Sequence, residues 1–543
     1  MNKKLFVIIF FLLSLSGYSQ EDAWVYFINK PNAQFYFDNP LEMLTQRSLD
    51  RRTNQNIALD LKDVPIYQPY VDQISASNGI QVMAKSKWFN AIHVRGEITT
   101  IQNLLMLSFV DDVQFADRNL NIFGRINNNT KPAAVNKADK VLETNVNFVY
   151  GNSGNQVQMI NAHLLHQQDY TGTGKIIAVM DAGFPNVDLI APFQRLRNNN
   201  QILGGYNFVD RNDTFYSGNS HGTLVLSTMG GFVENQLIGT APDAKYYLFI
   251  TEDANSENPL EESNWVEAAE VADSLGVDII TTSLGYFEYD NPNYSYTYAD
   301  MNGTTSYISR GSDVAFSRGM ICVASAGNSG ANILNPHIAA PADAINVLAI
   351  GAVKSDENYA TFSSIGPSFD GRVKPDITAQ GQASTVSGAT GVIGAASGTS
   401  FSAPIVSGAI ASFWQAIPWA TNQQILDFVK QSANRFANPT NQFGYGIPDF
   451  QLALTNANLS VNENIKGQFL LYPNPVSNNL FISFPNTVSD VKVLLYNGLG
   501  QIVLEQLIQN SQQAVSVEIL NSGIYFYKIE SKSFIQTGKL IKN

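Results

Sequence analysis

The sequence predicts an α/β protein with a parallel sheet at its centre, a small mixed α/β unit before it and a small all-β unit after it. In the middle of the chain, apolar strand patterns at residues 176–180, 246–250 and 321–325 alternate with helical patterns such as residues 265–275. Apolar strands without internal alternation are buried on both faces, and strands that alternate with helices pair in parallel. From about residue 466 the pattern changes to short alternating strands, which is typical of an all-β domain.

Residues 1–19 have the pattern of a secretory signal peptide. Two lysines precede an apolar run of 11 residues, and small residues follow it. That run is too short to span a membrane comfortably, and no other segment of the 543-residue chain approaches ~20 apolar residues. We therefore expect an exported protein whose mature form has no membrane-spanning segment.

Residues 20–125 form the first folded unit that we expect. Strand patterns at residues 23–28, 89–94 and 110–115 surround two helical patterns. Two βαβ-like halves of this kind predict a small α+β, ferredoxin-like fold. Residues 126–154, which are rich in Asn, Lys, Gly and Ser, have the composition of an exposed linker.

Three residues with catalytic chemistry stand at element ends within residues 155–457. Asp181 ends an apolar strand before a glycine turn, His221 opens a helix rich in small residues, and Ser400 precedes a buried helical run. A parallel α/β sheet gathers such element ends at one edge. Taken singly, each residue is more often a cap or a turn residue, but the joint order Asp, His, Ser predicts a catalytic triad.

The residue types determine the chemistry. A serine hydroxyl is a weak nucleophile until a nearby base takes its proton, and histidine titrates near neutrality. A carboxylate on the far ring nitrogen fixes the tautomer of the histidine. We therefore assign Ser400 as nucleophile, His221 as general base and acid, and Asp181 as orienting carboxylate. Asn328, which follows another apolar strand, would complete an oxyanion hole with the backbone N–H of Ser400.

Residues 155 to about 455 resemble, in order, the subtilisin-like serine proteases, or subtilases. Besides the residues above, the resemblance rests on residues 239–244 and 283–285. It implies a subtilisin-like, doubly wound parallel sheet and an endopeptidase that hydrolyses protein or peptide substrates through an acyl-enzyme intermediate. It also implies that Ser283, Leu284 and Gly285 bind the substrate.

The same resemblance gives residues 20–125 a role. In subtilases this position is held by a pro-domain that covers the active site and assists folding. It follows that residues 20–125 would inhibit the enzyme and act as its chaperone, and that the linker 126–154 would be cut on maturation. The alternative is an N-terminal accessory or binding domain.

The last part of the chain, residues 466–543, predicts a small β-sandwich. Five short alternating strand patterns occur in it, and Asn497-Gly498 is a strong hairpin-turn signal. Residues 472–475, 522–527 and 538–542 resemble the C-terminal sorting domain that the type IX secretion machinery of Gram-negative bacteria reads. The resemblance implies a secreted or cell-surface protein. A carbohydrate- or protein-binding β-domain is the alternative.

Some positions depart from the usual family pattern. Ala182 stands where Ser or Thr usually bonds the catalytic carboxylate. Residues 226–227 are Leu-Ser where Ala-Gly is usual, and residues 401–402 are Phe-Ser where Met-Ala is usual. No reacting group is lost, so we expect changes in tuning and not in the reaction.

One competing motif is rejected. Residues 218–222 match the G-x-S-x-G nucleophile elbow of α/β-hydrolases. That elbow follows an apolar strand, which residues 213–217 do not form. It also needs an acid and then a histidine downstream, and beyond His221 only His337 remains.

Composition excludes other functions. The formal net charge of −13 argues against nucleic-acid binding, which needs basic patches. The single cysteine, Cys322, excludes internal disulfides and is expected to be a buried small side chain. Since no zinc-type or EF-hand spacing occurs, we predict no metal ligands and no cofactor for catalysis. The family resemblance allows a structural calcium ion, which the sequence does not locate.

Two questions stay open at this stage. The loop of residues 286–311, rich in Tyr and Asp, either lies at the rim of the substrate cleft or is a solvated insertion. Glu288 and Asp290 in it give a slight indication that basic side chains are preferred. The protein itself is either an active endopeptidase or a catalytically inactive surface binding protein on the same scaffold. An esterase or peptide-ligase activity would use the same triad.

Overall fold

The computed structural model describes residues 20–121, 147–466, 469–483, 491–509, 513–531 and 535–543. The predicted signal peptide and residues 126–146 of the predicted linker lie outside these ranges. The chain divides into two compact units, one up to Ala453 and one from Leu454, and each is described by itself. In the part of the chain that is described, every helix is too short or too polar to cross a membrane.

The N-terminal domain is a four-stranded antiparallel sheet with helices. Its elements are β1 Glu21–Phe27, α1 Ala33–Asp38, α2 Gln46–Asn54, α3 Gln68–Ser75, β2 Ile80–Ser86, β3 Ala91–Gly96, α4 Ile98–Asn103 and β4 Val110–Phe115. The strand order is β2-β3-β1-β4, with α3 and α4 as the connecting helices. This is the ferredoxin-like order, and the predicted α+β fold is confirmed. Helices α1 and α2 are an insertion between β1 and α3.

The central domain alternates strands and helices. Its elements are α5 Gly154–Gln158, α6 Ala162–His166, β5 Ile176–Asp181, α7 Gln194–Asn198, β6 Ile202–Asn207, α8 His221–Gly230, β7 Phe232–Val233, β8 Leu237–Ile238, β9 Lys245–Ile250, α9 Leu260–Leu275, β10 Ile279–Thr282, α10 Tyr307–Ser317, β11 Ile321–Ser325, β12 Leu348–Val353, β13 Ile377–Gln380, β14 Ser384–Ser387, β15 Ile393–Ala396, α11 Thr399–Ala416, α12 Asn422–Gln431 and α13 Phe450–Lys466.

Seven parallel strands form the central sheet, in the order β13-β12-β11-β10-β5-β9-β6. Strands β5, β10, β11, β12 and β13 are buried along their whole length, as apolar strands covered on both faces must be. Helices α8 and α11 pack on each other, and so do α9 and α10. The predicted doubly wound α/β architecture is confirmed.

The N-terminal domain packs on α9 of the central domain. The Glu270 carboxylate accepts the backbone N–H groups of Lys87 and Trp88 at 2.8 and 2.9 Å. Trp24 Nε1 donates to Ser263 Oγ at 2.8 Å. The sheet of the N-terminal domain therefore covers one side of this helix.

The unit from Leu454 contains the larger part of α13 and a two-layered β domain. Its strands are β16 Leu470–Tyr472, β17 Asn479–Ser483, β18 Val491–Tyr496, β19 Ile502–Ile508, β20 Val515–Ser516, β21 Gly523–Glu530 and β22 Ile535–Lys542. They form two sheets, β16-β17-β20 and β19-β18-β21-β22. Leu480 and Ile482 from the first sheet pack with Val493, Leu495 and Ile529 from the second. The predicted all-β fold is confirmed.

Candidate active site

Asp181 and His221 meet at the carboxyl edge of the central sheet. Asp181 ends β5 and is fully buried, whereas His221 opens α8 with 30% of its side chain exposed. His221 Nδ1 donates to Asp181 Oδ1 at 2.8 Å, and the same oxygen accepts the backbone N–H of Ala182 at 2.8 Å. With its proton on Nδ1, the imidazole leaves Nε2 to act as a base.

Close backbone packing brings α8 to the end of β5. A Cβ atom on Gly222 would lie 2.5 Å from the carbonyl oxygen of Gly183 and 2.9 Å from Asp181 Cβ, so only glycine fits here. The backbone N–H of His221 donates to Asn219 Oδ1 at 3.0 Å. The sequence around His221 therefore serves to seat its ring beside Asp181.

The surroundings of this pair affect the pKa of His221 and leave one oxygen of Asp181 without a hydrogen bond. The Asp181 carboxylate raises the pKa of His221 above its ordinary value, against burial, which lowers it. Asp181 Oδ2 is buried and has no hydrogen-bond partner among the described residues. Because Ala182 lacks a hydroxyl, the donor that the family usually supplies to this carboxylate is missing, as the sequence predicts.

Ser400 is the second residue of α11, at the same edge of the sheet. Its Oγ donates to the carbonyl oxygen of Ser283 at 3.3 Å. The side chains of Ser400 and His221, both in the described part of the chain, are not hydrogen-bonded to each other. The His221 ring lies 6.1 Å, centroid to centroid, from the ring of Phe401. Hydrogen bonds between catalytic groups are often long before substrate binds and tighten in the complex.

A proline in α11 leaves the carbonyl oxygen of Ser400 free to accept a hydrogen bond from the residue that follows β10. Pro404 has no N–H, so the carbonyl oxygen of Ser400, four residues earlier, loses its helical donor. Ser283 Oγ donates to that oxygen at 2.9 Å instead. Ser283 and Ser400 thus exchange two hydrogen bonds, which fix the start of α11 against the end of β10.

Asn328 lies beside the N-terminus of α11. Its Oδ1 accepts the backbone N–H of Thr399 at 2.9 Å and the Thr399 hydroxyl at 3.1 Å. These bonds set the amide so that Nδ2 is the atom left to donate, close to Gly398. The positive end of a helix dipole and an amide donor therefore occur together where an oxyanion would form.

A cleft of about 540 Å³ opens beside His221. Ala182, Asn219, Ser283 and Leu284 line one part of it, so two of the three residues predicted to bind substrate are in its wall. Gly285 is exposed next to them but does not line this cleft.

The other wall of the cleft is acidic. Glu252, Asp253, Glu257 and Asp290 line it. Burial, together with the charge of Asp290, raises the pKa of Glu257 to about 7. Sequence reasoning noted Asp290 but missed the others, because the loops after β9 and β10 converge only in three dimensions.

Three carboxylates at this wall are close enough to raise the question of a metal ion. Oxygens of Glu252, Glu257 and Glu261 lie within 4.8 Å of one another, and this is the one such group in the described ranges. Calcium takes six to eight oxygen ligands, so three carboxylates would need further oxygen ligands beside them to hold it. Glu261 also accepts the backbone N–H groups of Asp253 and Asn258, each at 3.1 Å. We therefore assign no metal to the group.

The tyrosine-rich loop is anchored. The hydroxyls of Tyr289 and Tyr296 donate to Glu262 Oε1 at 2.5 and 2.6 Å, and the backbone N–H of Ile308 donates to Glu262 Oε2 at 2.8 Å. Glu262 is fully buried. The loop is thus not a solvated insertion, and Asp290 within it lies at the cleft.

Cys322 plays no part in the site. It is buried in β11, and burial raises the pKa of its thiol, so it is the small apolar side chain that the sequence predicts.

Comparison with known families matches three segments of the chain. Residues 172–446 match the subtilase family, and residues 22–135 match the peptidase S8 propeptide domain of Bacteroidota. Residues 470–543 match a secretion system C-terminal sorting domain. The sorting domain indicates export by the type IX secretion system, so the protein is secreted or attached to the cell surface.

Two subtilisins agree with the central match. Subtilisin NAT from Bacillus subtilis subsp. natto is 31% identical over 300 residues, which are 55% of this chain and 70% of that protein. Subtilisin from Bacillus pumilus is 30% identical over 300 residues, 55% of this chain and 97% of that protein. The solved structure of the MycP3 protease from the type VII (ESX-3) secretion system covers 56% of this chain and 88% of its own, with 19% identity and a TM-score of 0.45.

The subtilase match spans half of the chain and includes the whole seven-stranded sheet. The chain therefore belongs to the subtilase family of serine endopeptidases.

Proposed function

We propose that this protein hydrolyses peptide bonds through Asp181, His221 and Ser400, and that it is made as a secreted pre-pro-enzyme. The observation that carries the proposal is the 2.8 Å hydrogen bond between Asp181 and His221 at the sheet edge where Ser400 begins α11. A buried acid, a partly exposed base and a hydroxyl at a helix N-terminus are the parts that acyl transfer needs.

The reaction uses these parts in turn. His221 Nε2 takes the proton of Ser400 Oγ as that oxygen attacks the scissile carbonyl carbon, and Asp181 stabilises the imidazolium. The oxyanion accepts hydrogen bonds from Asn328 Nδ2 and from the backbone N–H of Ser400. Collapse breaks the C–N bond, and the leaving amine takes the proton from His221. Water then hydrolyses the acyl-enzyme by the same steps.

We assign substrate binding to the residues that follow β10. Ser283 and Leu284 line the cleft after that strand, Gly285 is exposed next to them, and Ser283 contacts Ser400 directly. Their backbone groups suit an extended peptide, since strand addition satisfies main-chain donors and acceptors. Protein and peptide substrates are therefore the class that we propose.

We also propose how the chain is divided. Residues 1–19 are the signal peptide, 20–125 the inhibitory and chaperoning pro-domain, and 126–154 the linker with the maturation site. Residues 155–457 are the peptidase domain, and 466–543 are the sorting domain. The contact of the N-terminal sheet with α9 and the two-sheet architecture of the tail support this division.

Labelling with a fluorophosphonate probe tests the proposed nucleophile. The secreted protein should label, Ser400→Ala should not, and Ser329→Ala, which removes an exposed hydroxyl one residue after Asn328, should label like the parent. Intact masses of the same samples show whether the N-terminal region is cut and whether the cut requires Ser400.

The second candidate is a catalytically inactive surface binding protein. The absence of a hydrogen bond between the described residues Ser400 and His221 is the observation in its favour. If the wild-type protein fails to label after another protease has removed its N-terminal region, this second function replaces the first. Comparison of peptide and ester substrates would separate hydrolysis of peptides from an esterase activity.

A further inference from the structure

The N-terminal domain holds the peptidase domain at a second place, far from the cleft. Residues 33–64, here called the arm, contain α1 and α2 and are inserted between β1 and α3. The arm has a small apolar core around Met43 and Leu44. Lys30 Nζ fastens it to the rest of the N-terminal domain by donating to the carbonyl oxygens of Leu61 and Lys87, each at 2.6 Å.

Charged side chains alternate between the arm and the peptidase domain. Arg51 and Arg52 of α2 both donate to the Asp273 carboxylate, Arg52 at 2.7 Å. Arg52 also donates to Asp63 of the arm at 2.7 Å, and Arg318 of the peptidase domain contacts Asp63 at 3.4 Å. The side chains of these five residues are each at most 6% exposed, so the whole series of charges is buried.

Helix α2 and Gln55, the residue that follows it, also contact the backbone of the peptidase domain. Gln55 Nε2 donates to the carbonyl oxygen of Gly319 at 2.9 Å, and its Oε1 accepts the backbone N–H of Asn422 at 3.0 Å. Arg47 Nε donates to the carbonyl oxygen of Gly276 at 2.9 Å. A Cβ atom on Gly276 would lie 2.7 Å from Arg47 Cγ, so the fit leaves no space for a side chain.

This contact lies at the amino edge of the central sheet. The arm contacts Gly174, Asp278 and Gly319, which come within two residues of the starts of β5, β10 and β11. Asp181 stands at the other end of β5, about 17 Å away along a strand of this length. Holding the arm therefore does not require that the cleft be filled.

We propose that the arm is a second anchor, separate from the cleft, that holds residues 20–121 on the peptidase domain after the linker has been cut. Each side of the contact depends on the other, because Asp273 is paired with arginines of the arm and Arg318 with an aspartate of the arm. Removing one member of a buried ion pair leaves an uncompensated charge, which is strongly unfavourable. The proposal rests on the proposed cut in the linker 126–154 and goes beyond the hydrolytic function.

A cut chain tests the proposal without catalysis. The full chain carries Ser400→Ala and a recognition site for an unrelated sequence-specific protease inserted after Thr130. After cleavage, size-exclusion chromatography and native mass spectrometry should find both parts together at micromolar concentration. Arg51→Ala with Arg52→Ala should weaken the complex by roughly a hundredfold or more, because Asp273 loses both partners.

Two further variants make the result specific. Arg95→Ala removes a guanidinium that pairs with Asp22 inside the N-terminal domain at 3.0 Å, and it should leave the complex intact. Gln55→Ala removes only the bonds to Gly319 and Asn422, and it should weaken the complex by roughly tenfold. Circular dichroism of each uncut chain checks that the variant is folded.

Separation of the two parent parts at micromolar concentration would overturn the proposal. Equal affinity in the parent, the double-arginine variant and Gln55→Ala would also overturn it, since contacts with α9 would then suffice. Because Ser400 is absent throughout, neither outcome bears on hydrolysis, and failure of the wild-type protein to label would not bear on the arm.

Discussion

At the scale of residues, the two oxygens of the Asp181 carboxylate differ in their hydrogen bonds. Its Oδ1 accepts hydrogen bonds from His221 and Ala182, whereas its buried Oδ2 has no partner among the described residues. Among the described residues, the imidazole is therefore the one side chain that is hydrogen-bonded to this carboxylate, and the two side chains act as a unit. Changes to Asp181 should therefore be visible in the titration of His221.

Asp181→Asn preserves the shape of the side chain and removes its charge. The pKa of His221 should fall, because the Asp181 carboxylate is the main cause of its rise. Since the reaction needs a neutral imidazole, the acid limb of the kcat/KM profile should move to lower pH. We expect kcat to fall by roughly 10⁴-fold, as an amide at this position favours the wrong tautomer. Assays of a peptide substrate across the acid limb measure both effects, and an unmoved limb would refute the assigned role.

Asn328→Ala removes one donor of the proposed oxyanion hole. We expect kcat to fall by roughly 10²- to 10³-fold with little change in KM, a magnitude that comes from a subtilisin, to which this chain is related. Asn332→Ala is the matched control, because that exposed side chain bonds only within its own loop. Steady-state kinetics on one peptide substrate compare the two, and similar losses in both would contradict the assignment.

The reacting residues could be found from the sequence because a recognisable local sequence pattern surrounds each of them. Asp181, His221 and Ser400 stand at the ends of apolar or small-residue elements, and a parallel sheet brings such ends together. The exchange of hydrogen bonds between Ser283 and Ser400 could not be foreseen, since it depends on a carbonyl that Pro404 sets free. The carboxylates of the cleft likewise come from two loops without a motif.

At the scale of elements, buried and regular segments were easier to predict than polar or short ones. Strands β4 and β11 have the predicted bounds, and β11 is marked by a continuous run of apolar and small residues. Strand β6 was missed because it contains two glycines and lies half-exposed at the sheet edge. Helix α2 was missed because its sequence is almost entirely polar, and its burial comes from ion pairs rather than apolar contacts.

Helix α11 leaves no room for larger side chains. A Cβ atom on Gly408 would lie 2.1 Å from Thr240 Oγ1, so Gly408→Ala must displace the helix or its neighbour. We expect a loss of about 1–3 kcal/mol in the free energy of unfolding. Gly394→Ala is the control, because nothing lies within 4 Å of the added atom. Urea titrations in a Ser400→Ala background measure both, and equal stability of the two variants would contradict the described packing.

At the scale of the whole molecule, acidic groups outnumber basic ones, and some of the excess is buried. The net charge is −13, and Glu252, Glu261 and Glu262 are each at most 9% exposed. Burial and neighbouring carboxylates raise the pKa of Glu261 far above its ordinary value. The folded chain therefore keeps a proton on Glu261 in a pH range where the unfolded chain has released it.

This difference predicts how stability depends on pH. A group with a raised pKa in the folded state makes the free energy of unfolding fall as pH rises from its ordinary pKa towards the raised one. The pKa of Glu261 is raised from its ordinary value to about 10, so stability should decline from about pH 5 to about pH 10, and Glu261→Gln should reduce that slope. Denaturant titrations at several pH values in a Ser400→Ala background give the slope. The exposed Glu288→Gln should leave the slope unchanged, and an unchanged slope in Glu261→Gln would exclude this origin.

The placement of the arm at the amino edge of the sheet also bears on how this protein can evolve. Loops that shape the cleft leave the carboxyl edge, whereas the surface that binds the arm is built from segments before the strands. Substitutions that alter substrate choice can therefore accumulate without disturbing the fit between the two domains. Related proteases could therefore differ in substrate specificity while keeping interchangeable N-terminal domains. Exchanging cleft loops between them is a practical route to new specificities.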